Sequence, residues 1–411
     1  VIKKTLLLGI LACLLLPAMA WADEDVTVGT GNMQIYGLMK AGFVYYIGQE
    51  TLGTDANGAM QAMDRPSDMM FTINCFTLGF KGSVIKDRVS YKSLLKLGDS
   101  SFALLDLNLG FHYIPYTGIY VGRIKPNFTH FNAGPSSKFI FIDMPLMNRN
   151  MFGRTRQTGL EFGVVSPYLD ANLGVFNGRE YEPSLIPAGA NQNLDANGNP
   201  DGTIGNAGWL DENNGKDFYL NLIGKTPLQG LNVRAGIWYG TPLDGFDVED
   251  GELTEQNLQA TMVTGGVVYL APYGATFIAE VLYGSYVWDS SDAADNERAD
   301  DSYEVAQISY YAMVGFNFGP MFEVPVEVLL RYDSFDPDME NDDETHPGSE
   351  SDGLSDITFG VNYYLKKHHA MLSLNYIHHS EQWEDVLNLA GDDTQDGISN
   401  DELKLQAQVA F

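Results

Sequence analysis

Two cysteines in 411 residues, Cys13 and Cys75, exclude a disulfide scaffold, because the first falls in an N-terminal leader and leaves the second without a partner in the chain. Positive charge is also scarce. Lys and Arg number 24 against 54 Asp and Glu, for a formal net charge of −30. That balance excludes nucleic acid as a partner, since such binding rests on cations that neutralise phosphates. Beyond residue 22 no apolar run reaches the about 18 residues of a membrane-spanning helix. Catalytic motifs are missing too: there is no nucleophile elbow, no Walker loop and no zincin helix, so the reading is not an enzyme and carries no cofactor.

The N-terminus is rich in what the rest lacks. Lys3 and Lys4 precede an apolar run from Leu6 to Leu16, then Pro17 and Ala20-Trp21-Ala22. This predicts a Sec signal peptide over 1–22 and one mature domain over 23–411. Lipid attachment at Cys13 is the rival reading, but Leu11 fits a lipobox poorly and the apolar run continues past the cysteine. An exported chain with 43 Gly, 22 Tyr and 22 Phe has one remaining route into a membrane, the closed β-barrel.

Period-2 alternation supports that route. It predicts about sixteen strands, near 34–47, 69–81, 88–97, 104–113, 118–125, 156–165, 168–178, 217–225, 231–240, 259–270, 274–288, 303–318, 322–334, 355–366, 370–380 and 402–411. The connections alternate between short turns such as Ser166-Pro167-Tyr168 and long acidic stretches at 179–216, 241–258, 289–302, 335–354 and 381–401. Short periplasmic turns and long extracellular loops are the two ends of an outer-membrane barrel. Along 322–334, Val326, Val328, Leu330 and Tyr332 share one face, with Glu327, Arg331 and Asp333 on the other. Unpaired charges are costly in a dry core, so the alternation predicts a wet interior lined by residues such as Asp106, Glu161, Arg234, Glu280 and Arg331. Pro325 lacks a ladder donor and predicts a bulge or a rim position.

One stretch has no clear period. Between Val121 and Leu160 it carries Arg123, Lys125, Lys138, Arg149, Arg154 and Arg156 against the single acid Asp143. So long a segment without its own period inside a domain reads as functional. With the N-terminus inside, 126–155 becomes the third outer loop. A basic loop folded into a low-dielectric lumen would focus the field on anions. Pairing of these bases with acids on the wall is the competing expectation.

The run LLDLNLGFHYIPYTGIYVGRIKPNF, then FGRTRQTGLEFG, ANLGVFNG, EVLLRYDSFD and the terminal Phe411 resemble Gram-negative porins, most of all the phosphate-selective porin O and P family. The resemblance implies a sixteen-stranded homotrimeric barrel and a third loop that folds inward as a constriction. It also implies that Phe411 is the signal read by the barrel-assembly machinery, and that the channel passes small solutes passively and prefers anions, with phosphate-like oxyanions as the family's solute. The acidic outer loops depart from the basic pattern of that family. A general or cation-selective pore governed by its acidic mouth is therefore the alternative, and an adhesin or structural barrel the alternative of another class.

The acidic loops are expected to meet lipopolysaccharide and outer-membrane lipids through divalent cations. A sharper expectation is loop-bound Ca²⁺ at Asp201 and at Asp392, Asp393 and Asp396, where oxygen-rich runs echo calcium loops without matching an EF-hand. The pairs His368-His369 and His378-His379 read as turn or interfacial positions.

Overall fold

The computed structural model describes residues 26–28, 31–47, 49–54, 60–65, 67–98, 101–152, 156–178, 216–249, 252–290, 303–337, 339, 353–381 and 398–411. The leader and the four aspartates expected to bind Ca²⁺ lie outside these residues, as does Arg154. Sixteen strands close one antiparallel sheet: β1 (Gly31–Ile47), β2 (Asp68–Ile85), β3 (Val89–Gly98), β4 (Ser101–Phe111), β5 (Thr117–Ile124), β6 (Gln157–Val165), β7 (Leu169–Phe176), β8 (Asp217–Lys225), β9 (Leu231–Glu249), β10 (Glu252–Leu270), β11 (Ala275–Ser290), β12 (Tyr303–Asn317), β13 (Val326–Asp336), β14 (Leu354–Lys366), β15 (Ala370–Glu381) and β16 (Ile398–Ala410). Each pairs with the next, and β16 returns to β1 with Leu405 opposite Phe43, so the barrel wall has no open edge. Outside the wall, Val26–Val28 folds back on the start of β1, and Gln49–Thr54 pairs with Met60–Arg65 as a separate hairpin.

All sixteen predicted strands are present. The main difference is at 241–258, read as a loop. There β9 and β10 stay paired out to Glu249 opposite Glu252. A hairpin that continues past the membrane has water on both faces and loses the apolar alternation by which strands are read. Pro325 precedes the first residue of β13 and follows a helical turn over Gly319–Phe322, so its missing N–H costs no ladder bond. Its carbonyl still accepts the Tyr364 N–H at 2.8 Å.

Alternation along the strands sorts lipid from lumen. On β13, Leu330 and Tyr332 are 47% and 42% exposed while Arg331 and Asp333 are fully buried. Exposed aromatics, including Tyr113, Tyr116, Tyr168, Tyr273 and Phe322, gather at the short-turn end. Amphipathic rings favour that depth of a bilayer.

The interior departs from the expectation of a wet lumen throughout. Phe128, Phe131, Phe139, Phe141, Met147, Met151 and Phe152 of the third outer loop are buried against inward side chains of the wall, among them Tyr219, Trp238, Met262, Tyr311 and Leu329. The rings of Phe176, Tyr219 and Trp238 lie stacked, and Phe128 and Phe152 meet Trp238 edge-on at 5.6 and 5.2 Å. One side of the lumen is a dry core.

Candidate functional site

The loop leaves β5 at Lys125-Pro126 because proline cannot continue the ladder. Thr129 caps the turn His130–Ala133 by accepting the Asn132 N–H at 3.2 Å, and Asn148 Nδ2 donates to the same hydroxyl at 2.9 Å. The wall then satisfies the loop's backbone. Glu280 accepts the His130 N–H at 3.0 Å, Asp333 that of Leu146 at 2.7 Å, and Asn375 that of Ile142 at 2.8 Å. In the other direction Asn362, Arg331 and Gln408 donate to the carbonyls of Ile140, Asp143 and Ser137. Buried peptide groups are seldom left unpaired, so these contacts specify the loop's path as firmly as the apolar core does. Burial, with Arg234 adding to it, pulls the His130 imidazole down to about 4.

A chain of alternating charges fastens the far side of the loop. Arg149 pairs with Asp356, and Asp356 accepts from His379 at 2.5 Å. His379 also faces Glu402 at 3.3 Å, Glu402 meets Lys404 at 2.5 Å, and Lys404 reaches Asp143 at 2.6 Å. Both loop charges are thus consumed by β14–β16. The histidine pairs split accordingly: His368 and His369 occupy a turn, but His379 is an internal link in this chain and not a bland interfacial residue.

The predicted site residues therefore divide. Arg156 pairs with Asp106 at 3.1 Å, and Asp106 is buried between it and Lys92, which lies at 2.7 Å. Lys125 donates to the Gly134 carbonyl at 2.7 Å. Lys138 stands apart beside the short-turn residue His368, away from the Asp106 cluster. Arg123 shares its β5 strand parity with Ile119 and Val121, not with the inward Tyr120 and Ile124, and lies opposite Thr158 with its guanidinium Nε and Nη1 buried. Glu161 faces inward and is held by Asn172 and Tyr219. Arg234, Glu280 and Arg331 also face inward, but the loop covers them, so they bind protein and do not meet pore water. Arg331 pairs with Asp333 at 2.7 Å and lies over the Phe141 ring at 4.8 Å.

The sequence reading missed the lysines of β2 and β3. Lys81 and Lys92 are directly opposed, and Lys96 follows on the same face as Lys92. The contact of Lys92 with buried Asp106 fixes that face as the lumen side. Like charges opposite one another destabilise a sheet, which makes the pair costly to keep. Lys81 lies over the Tyr36 ring at 5.2 Å. A cavity of about 550 Å³ adjoins this sector, lined by Lys92, Asn108, His112, Tyr120, Lys125 and Glu161 among others. Among the described residues no group of His, Cys, Asp and Glu could hold a metal ion.

Comparison with solved structures places this architecture. The outer-membrane channel DcaP of Acinetobacter baumannii aligns with a TM-score of 0.60 at 11% identity, over 95% of this chain and 100% of that one. An anion-selective porin from Comamonas acidovorans aligns at 0.54 and 14% identity, over 93% and 100%. OmpT of Vibrio cholerae, in a trimer form, aligns at 0.54 and 9% identity, over 93% and 100%. The chain thus has the sixteen-stranded antiparallel β-barrel fold of these channels and porins. Within that class, residues 309–411, from inside β12 to the C-terminus, match the family model of the phosphate-selective porins O and P. No curated protein matches the chain.

Proposed function

We propose that the chain is a passive outer-membrane porin whose aqueous path runs between the third loop and the β1–β5 side of the wall, and that it prefers small anions. The observation that carries this reading is the opposed pair Lys81 and Lys92 with Lys96 beyond it, on a lumen face where Asp106 is already shared between Lys92 and Arg156. Cations beside a low-dielectric wall raise the local concentration of anions. The partial match to the phosphate-selective porins supports oxyanions as the solute class. The neutralisation of Arg149 by Asp356 and of Arg156 by Asp106 supports a second reading, in which the acidic outer loops make the pore cation-selective.

In this proposal the segment 126–155 is the constriction, the assembly is a homotrimer in outer-membrane lipid and lipopolysaccharide, and Phe411 is the assembly signal. Phe411 is well placed for that: its N–H and carbonyl bond to Gly37, and its ring occupies the space above that glycine. The deciding experiment is reconstitution in planar bilayers with reversal potentials measured across a salt gradient. Stepwise conductance with anion-directed potentials is the expected result. Stepwise conductance with cation-directed potentials would establish the second reading, and an absence of steps would remove the channel.

A further inference from the structure

A second cavity, of about 370 Å³, lies on the short-turn side of the third loop, between the loop and β10–β14. Its size is within the range of about 300–1,000 Å³ that small-molecule sites occupy. Apolar walls come from Phe131, Phe139 and Ile278, all buried. Two opposite charges complete it. Lys138 forms no ion pair among the described residues. Glu327, also in the lining and 4% exposed, receives the Asn362 amide at 3.1 Å and the Tyr364 hydroxyl, both on Oε2, which leaves Oε1 without a hydrogen bond. The Nδ1 of His368, which also lines the cavity, is buried and has no partner.

Unpaired charges of both signs around an apolar pocket are complementary to a dipole with an apolar body. We infer that this cavity is a binding subsite for a zwitterionic α-amino acid with an apolar side chain: carboxylate to Lys138 and His368, ammonium to Glu327 Oε1, side chain against Phe131, Phe139 and Ile278. A simple anion would face the Glu327 carboxylate, and a simple cation the Lys138 ammonium. The site is separate from the Lys92 cavity, and the inference rests on the porin reading only in that solutes reach it through the lumen.

The test is calorimetric titration of the full barrel in detergent with L-phenylalanine, 3-phenylpropionate and phenethylamine, folding being checked for each variant by heat-modifiable migration. Saturable binding of L-phenylalanine is expected, at least tenfold tighter than either analogue. Lys138→Gln and Glu327→Gln should each weaken it about tenfold, while Lys86→Gln, in the exposed turn between β2 and β3, leaves it unchanged. Lys138 is exposed, so its variant stays informative if Glu327→Gln fails to fold. Binding of 3-phenylpropionate as tightly as L-phenylalanine, indifference to Lys138→Gln, or no saturable binding would overturn the inference. Conductance steps without added amino acid test the channel independently.

Discussion

The two sides of the lumen use the same strand geometry for opposite ends. Toward β7–β16 the inward residues include Tyr219, Trp238, Tyr311 and Leu329, and they receive a loop. Toward β2–β4 they include Lys81, Lys92, Lys96 and Asp106. Apolar inward positions thus bring the loop to one side, and charged inward positions leave the other to solvent, since burying those lysines without partners would be costly. The loop's charges follow the same division: Arg149 and Asp143 on the dry side are each matched to a wall residue.

The comparison breaks most readily in the aromatic core. Phe128→Ala should cost about 3–5 kcal/mol, the usual range for a fully buried phenylalanine. The loop should then undock, seen as lower thermal stability of the folded form and frequent current transitions to larger conductance. Unchanged current records would mean that the loop does not control the path. Next in size, Arg149→Gln removes an ion pair whose arginine is about a third exposed, so solvent screening holds the loss to about 1 kcal/mol or less. Its expected signature is more frequent brief openings at unchanged main conductance.

On the wet side, Lys81→Gln, Lys92→Gln and Lys96→Gln should each lower anion over cation permeability by a factor of a few, and the triple change more. Two charges 4 Å apart interact by about 4 kcal/mol at an effective dielectric of 20, but salt screens pore charges over a Debye length of about 8 Å. Reversal potentials unmoved by the triple change would transfer control of selectivity to the outer mouth. The smallest effect at neutral pH belongs to His130→Gln. A docked ring that titrates at about 4, against about 6.5 when free, favours docking fully above 6.5. That contribution is lost as pH falls from 6.5 toward 4. Wild-type current noise should therefore rise over that window and the variant's should rise less; identical acid responses would place the sensitivity elsewhere.

The barrel was legible because a wall between lipid and lumen imposes period 2 on every strand. The dry core was not, although a signal for it exists. Tyr219 and Trp238 share strand faces with Asn221 and Arg234, and large aromatics on an otherwise polar face mark the seat of something that packs there. The basic loop was legible as a cluster, but its net effect was not, since Arg156 finds Asp106 fifty positions away and Arg149 finds Asp356 still farther along the chain. The lysines of β2 and β3 are far from that cluster in sequence, and only register places Lys81 beside Lys92.

The path of the third loop also has a mechanical consequence. A closed sheet is stiff along its strands and around its hydrogen-bonded circumference, yet a hollow tube flattens easily. The loop is rooted in β5 and β6, and it is bonded to Arg234 on β9, Glu280 on β11 and both Lys404 and Gln408 on β16. It is a chord across the tube, and flattening the barrel along that direction must compress or stretch those bonds. Lateral pressure from the bilayer is then resisted by the same segment that fills one side of the lumen, so its removal should leave a more easily deformed cylinder.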